Sequence, residues 1–104
     1  MNEIALLWVT FIDAEEAGRV AETVLAEKLA TCANILAPST SIYRWQGKVE
    51  RGSEVPVLFK TATIRARRLG ERIAELHSYD LPVIETWHAQ TSIAVCDWVT
   101  SETA

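Results

Sequence analysis

The stretch TCANILAPSTSIYRWQGKVERGSEVPVLFKT, residues 31–61, decides the fold. It reads as two extended segments joined by a turn. The first runs from Thr31 to Tyr43 and bends at Pro38 and Ser39-Thr40; Trp45-Gln46-Gly47-Lys48 marks the turn. The second runs from Val49 to Thr61, with its most strand-like part at Val55 to Phe59, although Pro56 removes a ladder donor there. A strand usually needs only about 5–6 residues, so this hairpin is over-long. Long, partly apolar edges left free would template aggregation, and a closed homo-oligomer that pairs them between subunits is the natural remedy.

On the amino-terminal side, Ile4 to Phe11 is a nearly continuous apolar run, as in a strand covered on both faces or lying centrally in a sheet. Asp13 followed by Glu16 has the spacing of a capping box and starts a helix. Ala17, Val20, Ala21, Val24, Leu25 and Leu29 recur at helical spacing, so one face packs on the sheet. Beyond the hairpin, a second amphipathic helix is predicted from Thr63 to His77, with Ala66, Leu69, Ile73 and Leu76 inward and its arginines outward. Pro82 closes a turn, Val83 to His88 reads as a strand, and a short helix follows around Ser92 to Val99. The order β-α-β-β-α-β predicts one α+β, ferredoxin-like domain over residues 1–104. Its antiparallel sheet carries two helices on one face and a short C-terminal helix.

The chain has 104 residues, 49% of them apolar and 23% charged, a composition that folds as one soluble domain. A net charge of −4 disfavours nucleic acid, although Arg65, Arg67, Arg68 and Arg72 cluster locally. An RNA-recognition motif shares the element order, but Val55-Pro-Val-Leu-Phe-Lys lacks its aromatic pattern. The amino terminus carries an acid in place of a basic leader region, and no apolar stretch approaches the ~20 residues of a membrane helix. Cys32 and Cys96 lack metal or disulfide spacing, so a reducing, cytoplasmic location is expected.

Three local patterns remain: Leu-Ala-Thr-Cys-Ala-Asn at 29–34, Ser-Ile-Tyr-Arg-Trp-Gln-Gly-Lys at 41–48, and Lys-Thr at 60–61 followed by His-Ser-Tyr-Asp-Leu-Pro at 77–82. In order and spacing they resemble the CutA divalent-cation tolerance family over nearly the whole chain. The resemblance implies a homotrimer of ferredoxin-like subunits with interlocking hairpins. It places Cys32, Tyr43, Trp45, Lys60, His77 and Tyr79 at grooves between subunits. It further implies a role in copper tolerance and metal homeostasis, without catalysis. No cofactor is required beyond a divalent metal such as copper, or a small ligand, and His77 is the candidate metal ligand. Three positions depart from the family pattern: Val83 replaces an acid, Val9 a cysteine that ligates copper in some members, and Leu76 a histidine.

Each of these residues also has a purely structural reading. Cys32 between Thr and Ala suits a small buried apolar group. His77 at a helix end can bond a carbonyl, and Tyr43 and Trp45 beside a turn can anchor an interface. Lys60 ends an apolar strand, where an ammonium needs a partner or an anionic ligand. Lys60 with Lys48 thus supports an alternative, a signalling trimer similar to the PII proteins that binds an anionic metabolite. Catalysis by Cys32 and His77 would need an orienting third group and an oxyanion site, and the sequence identifies neither.

Overall fold

Ala5, Leu7, Val9 and Phe11 alternate along β1 (Asn2–Phe11), and all four are shielded from solvent. Strand alternation sends them to one face, where they meet Val55, Val57 and Phe59 of β4 (Lys48–Thr61). Two helices cover that face: α1 (Ala14–Ala26) through Ala17, Val20 and Val24, and α2 (Ala66–Leu76) through Leu69 and Ile73. A single 3₁₀ turn, Thr63–Arg65, leads into α2, so the predicted second helix starts later than its apolar pattern suggests. The computed structural model describes residues 2–104.

The sheet is antiparallel in the order β2-β4-β1-β5, with β2 at Cys32–Ile35 and β5 at Ile84–Thr91. The expected single bent strand from Thr31 to Tyr43 is two strands, because β3 (Ser39–Trp45) pairs with β4 separately, beyond the sheet. The prolines explain the break. Pro56 accepts Leu36 N–H through its carbonyl at 2.9 Å, so its missing N–H faces the same gap in which Pro38 lies. The break also shifts register: Ile35 opposes Val57, yet Ser39 opposes Glu54, which leaves one extra residue on the β2–β3 side. A one-residue slip exchanges the faces of everything beyond it. Ser41, Tyr43 and Trp45 therefore share the face of Glu54. The hairpin closes with Gln46 at φ 50 and Gly47 at φ 80, the left-handed pair that a two-residue turn matched to strand twist requires.

Asp13 caps α1 as predicted, its side chain accepting Glu16 N–H at 2.9 Å. The helix ends with Leu29 N–H on the Val24 carbonyl at 2.9 Å and Lys28 N–H on the Leu25 carbonyl at 3.0 Å. That closing motif puts Lys28 at φ 60, where glycine is usual. Arg72 forks onto Glu27 with two 2.9 Å bonds and ties α2 to the end of α1. The other arginines are engaged too: Arg67 with Glu71, Arg68 with Glu75, and Arg65 with the Thr103 carbonyl. Each arginine of the cluster thus has an intramolecular partner, those of Arg67 and Arg68 at the exposed surface.

On the opposite sheet face, α3 (Ile93–Glu102), capped by Ser92, covers Ile4 and Ala62 through Val99. The rest of that face carries no helix, and Trp87 is left 45% exposed. The hairpin projects beyond it, with Ile42 at 62% and Val49 at 64% exposure. No helix among the described residues is long and apolar enough to cross a membrane.

Candidate ligand groove

The chain leaves α2 at His77 in an extended conformation. Its Nδ1 accepts the Tyr79 N–H at 3.1 Å, which makes Nδ1 the unprotonated nitrogen. Nε2 then carries the hydrogen and donates to the Thr10 carbonyl at 2.8 Å. The ring is fully buried and stacks on Phe11, with centroids 4.7 Å apart and planes 16° from parallel. Both nitrogens are thus committed to backbone, and the expected metal role of His77 finds no free lone pair here. His77 is a fastener. Behind it, Glu16 is 3% exposed and accepts the Ser78 N–H at 2.9 Å and the Ser78 hydroxyl at 2.8 Å. The other half of the predicted capping box is absent because the Glu16 carboxylate is used on this loop.

Anchored in this way, the loop delivers Tyr79 over β4. Its hydroxyl donates to Glu54 Oε2 at 2.9 Å, and Thr10 donates to the same oxygen at 3.1 Å. Burial alone would push the Glu54 carboxyl up, but donation from Ser41, Tyr79 and Thr10 outweighs it and holds the group below the usual glutamate range. Burial pushes the Tyr79 phenol well up, and its bond to the Glu54 carboxylate adds to the effect.

These groups line a groove of about 790 Å³. Tyr43, Trp45 and Tyr79 form its aromatic walls, and Ser41 opposite Gly52 forms a shallow floor. Leu81 and Val83 close one side, so the valine found where the family pattern has an acid adds apolar surface.

Three of the six residues expected at a groove therefore come together, Tyr43, Trp45 and Tyr79, with His77 directly behind them. Within one chain, Cys32 and Lys60 do not join them. They pair with each other across β2 and β4, and Lys60 lies about 20 Å along β4 from Glu54 at ~3.3 Å per residue. Glu54, Thr10 and Ser41 were not singled out by sequence. An acid in a strand reads as solvated, and the signal that finds Glu54 is its shared alternation with Pro56 and Leu58. Among the described residues, no three His, Cys, Asp or Glu side chains are grouped to hold a metal ion.

The sequence profile of the CutA1 divalent ion tolerance proteins matches residues 5–102. The chain belongs to the CutA1 family. The divalent-cation tolerance protein CutA of Thermus thermophilus is 36% identical over 99% of both chains. That of Thermococcus kodakarensis is 42% identical over 79% of this chain and 78% of its own. Among solved structures, CutA1 from Ehrlichia chaffeensis superposes with a TM-score of 0.93 at 31% identity, covering 100% of this chain and 98% of that one. The ferredoxin-like α+β fold inferred from the β-α-β-β-α-β order of the chain is thus that of solved CutA1 structures.

Proposed function

We propose that this CutA1-family chain acts in divalent-cation tolerance as a non-catalytic homotrimer that binds its ligand in the Tyr43–Trp45–Tyr79 groove. One observation carries this reading: two motifs far apart in sequence, at 41–48 and 77–82, converge on one groove around an ionised carboxylate. Trimer formation is supported by the exposed Ile42, Val49 and Trp87, and by the unpaired edges of β3 and β5. A neighbour's hairpin laid against these edges makes the groove a seam between subunits. Divalent ions such as copper then find their remaining donors across the seam. The two free cysteines fit a reducing compartment, and we place the chain in the cytoplasm on that basis. Relatives carry other addresses in their names: "chloroplastic" in Arabidopsis thaliana and "Periplasmic" in Archaeoglobus fulgidus.

Sedimentation equilibrium tests the assembly, with three chain masses expected and a single-chain mass contradicting it. Calorimetric titration with copper, zinc and cadmium tests direct metal binding, and absence of heat at millimolar ion removes that version.

The second reading, an anionic metabolite on Lys60 and Lys48, is favoured by one fact: Lys60 is half-buried with no acid paired to it among the described residues. The two lysines stand at opposite ends of β4, about 40 Å apart at ~3.3 Å per residue. They meet only if different subunits supply them. Lys60→Met abolishes ligand-induced thermal stabilisation under this reading and leaves it intact under the first.

A further inference from the structure

The charge balance inside the groove narrows its ligand class, on the footing that the groove is the binding site. Glu54 is half-buried, and its carboxylate is satisfied by neutral hydroxyls, Tyr79 at 2.9 Å and Thr10 at 3.1 Å. No Lys, Arg or His among the described residues lies within ion-pairing distance of it. Hydroxyls fill lone pairs but cancel no charge. The carboxylate therefore keeps its negative charge without an ion-pair partner, and that charge attracts a cation entering the groove more strongly than it would in bulk water.

The surroundings favour the same sign. Asp80 lines the groove and adds negative charge. Arg44 is the one cation in the lining, and it alternates with Tyr43 and Trp45 along β3, so its side chain leaves from the opposite face of the ribbon. Three aromatic rings form the walls, two of them about half exposed, Tyr43 at 48% and Trp45 at 47%. The faces of such rings attract cations, and aromatic cages of this kind recognise quaternary ammonium groups. The volume of about 790 Å³ lies within the ~300–1,000 Å³ range of small-molecule sites.

We propose that the groove binds an organic cation, with an ammonium group held among Tyr43, Trp45 and Tyr79 against the Glu54 carboxylate. A bare divalent ion suits one chain's groove less well, because it needs several donor side chains and only Glu54 and Asp80 offer carboxylates. An anionic metabolite meets two charges of its own sign.

The test titrates tetramethylammonium chloride and 1,4-diaminobutane dihydrochloride into the assembled protein at constant ionic strength, with sodium chloride as control. Saturable binding of at least one ammonium probe is expected. Glu54→Gln should weaken it on the order of tenfold. Gly52→Val should abolish it while keeping the fold, because a Cβ at position 52 meets nothing within 4 Å in the chain and the added side chain enters the groove; sedimentation checks that the variant still assembles. The proposal is overturned if neither probe saturates, or if Glu54→Gln and Gly52→Val bind both as the wild type does. Should zinc or phosphate bind, and Gly52→Val block it while the ammonium probes stay inert, the organic-cation class falls and the groove remains the site. If no ligand's binding responds to Gly52→Val, the groove reading falls as well.

Discussion

The Tyr79 hydroxyl donates to Glu54 Oε2 across 2.9 Å, joining the loop after α2 to the hairpin strand β4. Both side chains depend on features remote in sequence. Tyr79 is held by His77, itself fastened to Thr10, and its neighbour Ser78 by Glu16 of α1; the hairpin residues facing Glu54 are set by the one-residue slip between β2 and β3.

Tyr79→Phe removes that bond and leaves the ring. The expected loss is about 1.5 kcal/mol in urea unfolding, the scale of a hydrogen bond to a charged group. The folded-state pKa of Tyr79 is raised above its unfolded value near 10.0, so its contribution is complete below that pH and is lost as pH climbs through the folded value. Tyr79→Phe should therefore flatten the alkaline arm of the stability profile; an unchanged arm would contradict the assignment.

Glu54 works in the other direction. Its folded pKa lies below the usual 4.5, so its contribution is present above that pH and is lost as pH falls from there through the depressed folded value. Glu54→Gln should reduce the acid sensitivity of the thermal midpoint below about pH 4.5. Identical acid profiles for variant and wild type would count against the three-hydroxyl environment.

Glu16→Ala strips the acceptor from the Ser78 N–H and hydroxyl. About 2–3 kcal/mol should be lost, because a backbone donor is left unsatisfied inside the protein. Hydrogen exchange at Ser78 and Tyr79 should quicken. His77→Gln should destabilise as well, yet leave any copper isotherm unchanged, since both ring nitrogens are already bonded to backbone. A His77→Gln protein that loses copper binding would reinstate the ligand role.

Lys28→Gly should stabilise the fold by about 0.5–1 kcal/mol, because φ 60 is strained for a residue with a Cβ. Guanidine midpoints for the two proteins give the answer directly. A lower midpoint for the glycine variant would show that the lysine side chain matters more than its backbone.

Much of the fold was legible in residues 2–61. The apolar run of β1, the Asp13 cap and the Gln46-Gly47 turn are local signals, and each element appears where its signal lies. Pro38 marked the bend, but not that the bend adds a residue and so divides one strand into two. The groove was legible only in part, since face and register are properties of pairing. Tyr43 and Trp45 reach Glu54 through the slip, while Cys32 and Lys60 sit before it, far along β4. Glu16 read as the second half of a capping box because nothing nearby in sequence announces Ser78.

The most direct measurement is backbone amide chemical-shift mapping of the assembled protein during titration with copper, zinc and the ammonium probes. Perturbations concentrated at Tyr43, Trp45, Gly52, Glu54 and Tyr79 are the predicted result. Perturbations gathered at Cys32 and Lys60 on the bare sheet face, with the hairpin groove silent, would contradict it.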